Sequence, residues 1–311
     1  MRLIFMGTPA FAVPSLEGIM AAGHKVLAVF TQPDRPKGRG QHDAMPPVKQ
    51  AALRLGLAVH QPERVRRPEV VEQLRAMAPE TMVVVGYGQI IPKAILDIPP
   101  MGIINVHASL LPKYRGAAPV QWSIARGETH TGVTTMRINE GLDTGGMLLK
   151  WETEIGAEET AVELGERLAA AGADLLVRTL AELPSIKPEP QDDSQASWAP
   201  ILKKEDGKID WHFPAREILN RIRGFVPWPG AYGFLRGQRF HIWKATSVWK
   251  EAGGEVVLPP GALRVVNRKL HAGCGDGSSI ELREVQLEGK KRMQAATFVN
   301  GHPIADDEVL Q

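Results

Sequence analysis

Ile103-Ile104-Asn105-Val106-His107 is a five-residue run that begins apolar and turns polar only as it ends. Side chains alternate across a strand, so Ile104 and Val106 point to one face and Ile103, Asn105 and His107 to the other. A run of this kind, apolar on both faces, reads as a buried strand of a parallel sheet. Working outward, Leu3–Met6, Lys25–Phe30 and Met82–Val85 read the same way. Helical patterns lie between them: one from near Pro14 to Gly23, one from Pro46-Pro47 to Gly56, and one after Pro68. Proline at the opening turn and glycine just past the end is the expected asymmetry. Repeated strand–helix–strand units predict an α/β fold: an open, mostly parallel, twisted sheet with helices on both faces. Gly132–Ile138 and Met147–Glu152 extend the sheet. Residues 158–182 read as a long helix, apolar at Ala161, Leu164, Leu168, Ala171, Leu175 and Leu176, with Thr160 or Glu158 near its start.

The composition changes from Leu183 to Gly207, where Pro184, Pro188, Pro190 and Pro200 alternate with Asp, Ser, Gln and Lys. That is linker chemistry. Beyond it, Phe240–Trp243, Ala262–Val266 and Ser279–Val285 are short β-branched or aromatic runs separated by glycine-bearing turns, the signal of a small all-β unit. The expected division is therefore 1–182, a linker at 183–207, and 208–311. A chain of 311 residues is comfortable for two domains, and 43% hydrophobic with 23% charged residues is the balance of a globular protein. No apolar run approaches the roughly 20 residues needed to span a bilayer, and Leu3–Met6 followed by Gly-Thr-Pro is no leader sequence. The expected location is the cytoplasm. Cys274 is the single cysteine, so no internal disulfide forms.

Charge is unevenly placed. The net charge is +2, yet residues 206–311 carry 15 basic and 12 acidic side chains against 22 and 23 before them. Arg216, Arg221, Arg223, Arg236, Arg239, Lys244 and Lys250 are opposed only by Glu217 between 216 and 250. Such a stretch is either solvated surface or an attractor of phosphate-rich partners.

Ligands bind at the carboxyl ends of strands in open parallel sheets. An amide and an imidazole at the end of 103–107 could stabilise an oxyanion and carry a proton, or simply be satisfied by loop backbone. Gly141-Leu142-Asp143-Thr144-Gly145-Gly146 lies between two apolar segments. In isolation it reads as a turn in which Asp143 bonds its own backbone; beside Asn105 and His107 it completes an Asn–His–Asp set. His24, His60 and His130 fall in predicted loops or strand edges and read as solvated. No G-x-G-x-x-G follows the first strand, since Gly7-Thr8-Pro9-Ala10-Phe11 puts proline and bulk there, and no Walker A sequence exists. Neither H-E-x-x-H nor a paired-Cys motif occurs, which argues against zinc. The remaining chemistry is general acid–base and oxyanion work with a cofactor that lacks a diphosphate.

Asn105 through Pro112, Tyr114-Arg115-Gly116-Ala117-Ala118-Pro119 and Gly141-Leu142-Asp143-Thr144-Gly145 together resemble the formyltransferases that use 10-formyltetrahydrofolate. Val83 through Pro92 is similar to that family's pterin-side loop. Three further segments resemble the methionyl-tRNA formyltransferases within it: Thr31 through Gly40, Asn220 through Gly230, and Gly289 through Phe298. The resemblance covers essentially the whole chain. It implies a Rossmann-like catalytic domain followed by an OB-like β-barrel that helps bind tRNA, with a monomer expected. It places Asn105, His107 and Asp143 in the catalytic positions. Ser109, Leu110, Leu111 and Pro112, with Tyr87, Gly88, Gln89 and Ile90 alongside, fall in the folate-binding positions. The loop from Gln32 to Met45, with Arg35, Lys37 and Arg39, corresponds to the insertion that probes the acceptor end of initiator methionyl-tRNA. Arg221 and Arg223 are further tRNA contacts. No metal is implied. Two departures stand out: Gly86 where Ala is usual, and Gln41-His42-Asp43 where the family carries more Lys or Arg.

The chemistry so implied is attack by the neutral methionyl amine on the formyl carbon. Asn105 and His107 would stabilise the oxyanion, and Asp143 would orient His107 and take the amine's proton. The competing reading is a formyltransferase acting on a small amine, such as glycinamide ribonucleotide or a sugar nucleotide.

Overall fold

The computed structural model describes every residue except 38–41, 248–256 and 306. Arg39, Gln41 and Lys250 therefore lie outside the described residues. The chain divides into two units. Met1–Pro119, His130–Thr153 and Gly165–Ala199 form the first; Val120–Thr129, Glu154–Leu164 and Pro200–Gln311 form the second.

The first unit is built on strands β1 (Arg2–Gly7), β2 (Lys25–Phe30), β3 (Val59–His60), β4 (Thr81–Val85), β5 (Ile103–His107), β6 (His130–Arg137) and β7 (Met147–Glu154), in the sheet order β7-β6-β5-β4-β1-β2-β3. The pairings among β1 to β5 are parallel, and β6 runs antiparallel to β5. Strand order reverses direction at β1 and β4, which is the place where a doubly wound sheet opens a crevice. The crossovers carry α1 (Val13–Ala21), α2 (Pro47–Arg54) and α3 (Pro68–Ala76), each with proline in its first turn. Ile4, Met6, Ala28, Phe30, Met82 and Val84 on one sheet face bury Val70, Val71 and Leu74 of α3. This is the predicted α/β, Rossmann-like architecture. A longer helix covers Ala161–Glu182. It opens with a capping box: Glu163 Oε2 accepts from the Thr160 amide at 2.8 Å, and Thr160 Oγ1 accepts from the Glu163 amide at 3.4 Å.

The second unit holds an antiparallel sheet of β8 (Ala231–Leu235), β9 (Gln238–Ser247), β10 (Leu263–Val266), β11 (Lys269–Gly273), β12 (Ser279–Leu287) and β13 (Met293–Gln294), paired in the order β8-β9-β12-β11-β10 with β13 against β12. The chain's last residues bridge the two edge strands. Leu263 N donates to Glu308 O at 2.8 Å and Leu310 N to Gly261 O at 2.8 Å, while Phe234 and Gln311 exchange both backbone bonds at 2.8 and 3.0 Å. Both edges are thereby covered, which removes the unpaired backbone an open sheet would present. Arg236 pins this tail with a fork onto Glu308, Nε to Oε1 at 2.7 Å and a second nitrogen to Oε2 at 2.5 Å.

Three expectations change. The segment 183–207 is not one linker: residues 183–199 belong to the first unit, where Met147 pairs with Glu189 and Trp198-Ala199 pairs in parallel with Arg115-Gly116. Proline there shapes an extended strap that bonds the domain instead of a free spacer. The second unit is built on the predicted antiparallel sheet, to which Ala215–Gly224 and Ala295–Gly301 add helices that the sequence did not signal, burying Ile218, Ile222 and Phe298 in its core. His24 and His60 are half-buried rather than solvated. His60 stacks on Phe30 at 4.9 Å between ring centroids, and burial lowers its pKa.

Candidate active site

β5 delivers Asn105 and His107 at its carboxyl end. Both are buried, Asn105 at 9% exposure and His107 at 5%. Among the described residues no hydrogen bond occupies the Asn105 side-chain amide. The imidazole is fixed differently. Its Nε2 lies 2.8 Å from Tyr114 O. A carbonyl oxygen only accepts, so Nε2 carries the proton, and Nδ1 is the nitrogen that faces Asp143 Oδ2 at 3.7 Å. The ring is thus oriented by Tyr114 O rather than by Asp143. The gap to the carboxylate is longer than a direct hydrogen bond and is one that a bridging water or an amine spans.

Asp143 sits in the turn between β6 and β7. Local turn bonding there is performed by Asn139, whose Oδ1 accepts from the Gly141 amide at 3.1 Å and from Thr144 Oγ1 at 2.9 Å. That leaves the Asp143 carboxylate to look inward, where Oδ2 accepts from Gly116 N at 2.9 Å. Asp143 holds φ at 53°, a left-handed conformation uncommon outside glycine. The turn also demands a true glycine at 145, since a Cβ there would lie 1.7 Å from Arg137 O. His107 and Asp143 thus approach to 3.7 Å, with Asn105 two residues before His107 on the same strand, and Asp143 is not spent on its own turn.

The run 109–112 is braced against β6. Thr134 Oγ1 donates to Ser109 O at 2.7 Å and accepts from Leu111 N at 3.1 Å, while Ser109 Oγ donates to Lys113 O at 2.6 Å. Leu110 is half-buried, and the Leu111–Pro112 peptide is cis. The segment 87–90 follows β4, at the point where strand order reverses. Thr8 Oγ1 and Gln32 Nε2 both donate to Tyr87 O, at 2.9 and 3.1 Å, tying the ends of β1 and β4 together. The side chains of this segment divide. Tyr87 turns into the core, and burial pushes its phenol up to about 12. Gln89 spends its amide on Val65 N at 2.7 Å and Pro62 O at 3.1 Å. Gly88 takes a positive φ of 85°, and Ile90 is 87% exposed. A ligand at this segment would meet backbone and Ile90, not the Tyr87 hydroxyl or the Gln89 amide.

Of the expected tRNA contacts, Arg35 is exposed on a short ladder in which Arg35–Lys37 pairs antiparallel with His42–Ala44. Arg221 lies over the Phe213 ring at 4.9 Å and bonds Glu217 at 3.4 Å. Arg223 is consumed by the protein. It donates to Gly156 O at 3.0 Å, Glu159 O at 2.9 Å and Asn220 Oδ1 at 3.1 and 2.9 Å, and burial lowers its pKa. Arg236 is held by Glu308, which leaves Arg216 and Lys244, among the described residues, as the exposed cations of this stretch without such a fork. Sequence reasoning missed Thr134, Tyr114, Gly116 and Gln191. Tyr114 and Gly116 act through backbone groups, Thr134 is one polar side chain within a strand-like run, and Gln191 lies in the strap that reads as linker. Among the described residues no group of three His, Cys, Asp or Glu gathers as a metal site, and no helix is long and apolar enough to cross a membrane.

Comparison with known proteins adds three findings. A family model described as formyl transferase matches residues 1–180, and one described as formyl transferase, C-terminal domain, matches residues 201–303. The methionyl-tRNA formyltransferase of Solibacter usitatus is 62% identical over 312 residues, covering 100% of this chain and 98% of its own. That of Acidobacterium capsulatum is 53% identical over 313 residues, covering 100% and 99%. Among solved structures, an N-formyltransferase from Helicobacter canadensis in complex with folinic acid and dTDP-3-aminofucose has a TM-score of 0.65 at 19% identity, over 91% of this chain and 98% of that one. The last likeness speaks for the fold.

Proposed function

The chain belongs to the methionyl-tRNA formyltransferases, and from that membership we propose that it transfers a formyl group from 10-formyltetrahydrofolate to the amino group of methionine carried on initiator tRNA. The observation that carries the reading is the approach of His107 Nδ1 and Asp143 Oδ2 to 3.7 Å beside the buried Asn105, whose side-chain amide makes no hydrogen bond among the described residues. The donor set fits a folate: exposed backbone at Gly88 after β4 and the hydrogen-bonded run 109–112 after β5, with no cluster of cations beside them among the described residues. Residues 109–112 and the backbone of 87–90 would hold it. When bound, the folate supplies an electrophilic formyl carbon.

The chain's own residues then do the remaining work. Asn105 donates through its amide to the oxygen on which negative charge develops, an effect worth roughly 3 kcal/mol per donor in other enzymes. His107, tied at Nε2, presents Nδ1 to the same space. Asp143 receives the proton that the attacking amine releases, directly or through a water bridging to His107. Neither a protein nucleophile nor Cys274 takes part; Cys274 is buried in the second unit, and burial pushes its thiol up to about 12. On the tRNA side, Arg35, Lys37 and Arg39 form one basic stretch of sequence, and Arg216, Arg221 and Lys244 supply charge on the second unit. The same reading places the chain in the cytoplasm, acting as a monomer.

The test is formyl transfer from 10-formyltetrahydrofolate, measured with charged initiator Met-tRNA, uncharged initiator tRNA and glycinamide ribonucleotide. Transfer confined to the charged tRNA supports the reading. Faster transfer to the small amine overturns it in favour of a small-molecule formyltransferase.

A further inference from the structure

The strap at 185–199 reaches the catalytic turn through one side chain. Gln191 Nε2 donates to Asp143 O at 2.8 Å and to Gly145 O at 2.8 Å, using both of its hydrogens. Its Oε1 accepts from Arg115 Nε at 2.9 Å. The Arg115 guanidinium is only 4% exposed and extends the link to Asp193 Oδ1 at 2.7 Å. Ser197 fastens the same region twice more: its carbonyl accepts from Arg115 N at 2.9 Å, and its hydroxyl oxygen Oγ accepts from Tyr114 N at 2.9 Å.

These bonds form a closed circuit. Tyr114 O holds His107, Gly116 N holds the Asp143 carboxylate, and Arg115, between them in sequence, holds Gln191, which holds the Asp143 backbone. Three consecutive residues thus fix both members of the His107–Asp143 pair, and Gln191 closes the ring from outside. Asp143 sits in a left-handed backbone conformation that aspartate adopts more readily than most residues yet still at a cost, and the bond from Gln191 to its carbonyl helps to hold it there. Gly116 makes the fit possible, since a Cβ there would stand 2.5 Å from Ala199 O.

The geometry points to Gln191 as a positioning residue for formyl transfer. It sets the Asp143 carboxylate against His107 Nδ1 without touching either substrate, and Arg115 orients the Gln191 amide. The inference rests on the roles proposed above for Asp143 and His107.

The experiment compares the full chain with Gln191→Met, Gln191→Glu, Asp143→Asn and the Gln191→Met/Asp143→Asn double variant. Gln191→Met keeps the length of the side chain and removes all three bonds. Gln191→Glu keeps the acceptor for Arg115 and turns an oxygen toward the two carbonyls, so it carries the test if the methionine variant does not fold. A shift of about 1 Å in a reacting group can cost about 100-fold, so kcat should fall between about 10- and 100-fold with both KM values nearly unchanged. The pH profile of kcat should move, because the two groups that carry the proton are no longer held at their separation. The double variant should be no slower than Asp143→Asn alone, since there is nothing left to position. Full kcat in the Gln191 variants beside an impaired Asp143→Asn overturns the inference. So do losses that multiply in the double variant. Full kcat in Asp143→Asn instead overturns the role given to Asp143, a separate failure.

Discussion

Thr134→Val tests whether the loop after β5 is held by the two hydrogen bonds of one hydroxyl. Valine matches threonine in shape, so packing is preserved and only the hydrogen bonds are lost. Thr134 is 0% exposed, and the residues it serves are equally buried, Ser109 at 0% and Leu111 at 1%. Water therefore cannot replace the hydroxyl at either Ser109 O or Leu111 N. Each orphaned buried group costs about 1–3 kcal/mol, giving about 2–6 kcal/mol for the pair. Against a typical total stability of about 5–15 kcal/mol, the variant folds but is visibly weakened. Thr134→Ser keeps both bonds and removes one methyl, a loss of about 1 kcal/mol. Urea unfolding gives the stabilities, and amide hydrogen exchange at Leu111 reads the loop directly. In the valine variant that amide should exchange much faster and KM for the formyl donor should rise. If valine and serine variants prove equally stable, with the same Leu111 exchange and the same donor KM, the brace carries no load and the reasoning fails.

Arg223→Ala should destabilise the second unit by about 1–2 kcal/mol, since it removes the bonds to Glu159 O and Asn220 Oδ1 from a half-buried guanidinium, while leaving the salt dependence of KM for tRNA as it was. Lys244→Ala should show the reverse, and swapped outcomes would restore Arg223 as a phosphate ligand. Arg39→Ala should weaken use of tRNA without altering KM for the formyl donor, because a guanidinium flanked in sequence by Gly38 and Gly40 is suited to phosphates and unpaired bases; identical kinetics on paired and mispaired acceptor stems would argue against a reading role. His271 is buried on β11, and burial, with Lys269 and Arg283 nearby, lowers its pKa below 6.5 despite Glu281. Its unfolded form binds the proton more readily, so the stability it contributes is present above pH 6.5 and lost as pH falls through that value. Unfolding midpoints from about pH 8 to about pH 5 should fall in the wild type and flatten in His271→Gln.

The sheet was legible because its pattern is redundant. β1, β2, β4 and β5 are each short runs of buried aliphatics, and each intervening helix is opened by a proline. The helix Ala215–Gly224 was hidden by its own charge. Ile218, Ile222 and Phe225 repeat at helical spacing and bury completely, yet Arg216, Arg221 and Arg223 lie among them and invite a reading by charge alone. Arg223 shows the physical reason for the error. A long side chain on an amphipathic helix can turn its head back onto backbone carbonyls, and sequence does not distinguish that from a cation facing solvent.

The site divides along the same line. Asn105 and His107 announce themselves because a strand that turns polar at its carboxyl end has few other reasons to do so. Asp143 was ambiguous in sequence, and Asn139 resolves it by taking the turn's internal bonds. What could not be read is everything that acts through the main chain: Tyr114 O on His107, Gly116 N on Asp143, and Ser197 O on Arg115. Any residue offers those groups, so its identity leaves no trace. Gln191 is different in kind, because its side chain makes all the contacts, and it was lost to composition. A segment with prolines at 184, 188 and 190 lacks a periodic apolar face, and that absence marks a spacer in most chains. Here the extended backbone that proline enforces is what lets fifteen residues lie along the domain and reach the catalytic turn with one amide. Proline content therefore reported the conformation of the strap correctly and said nothing about what it holds.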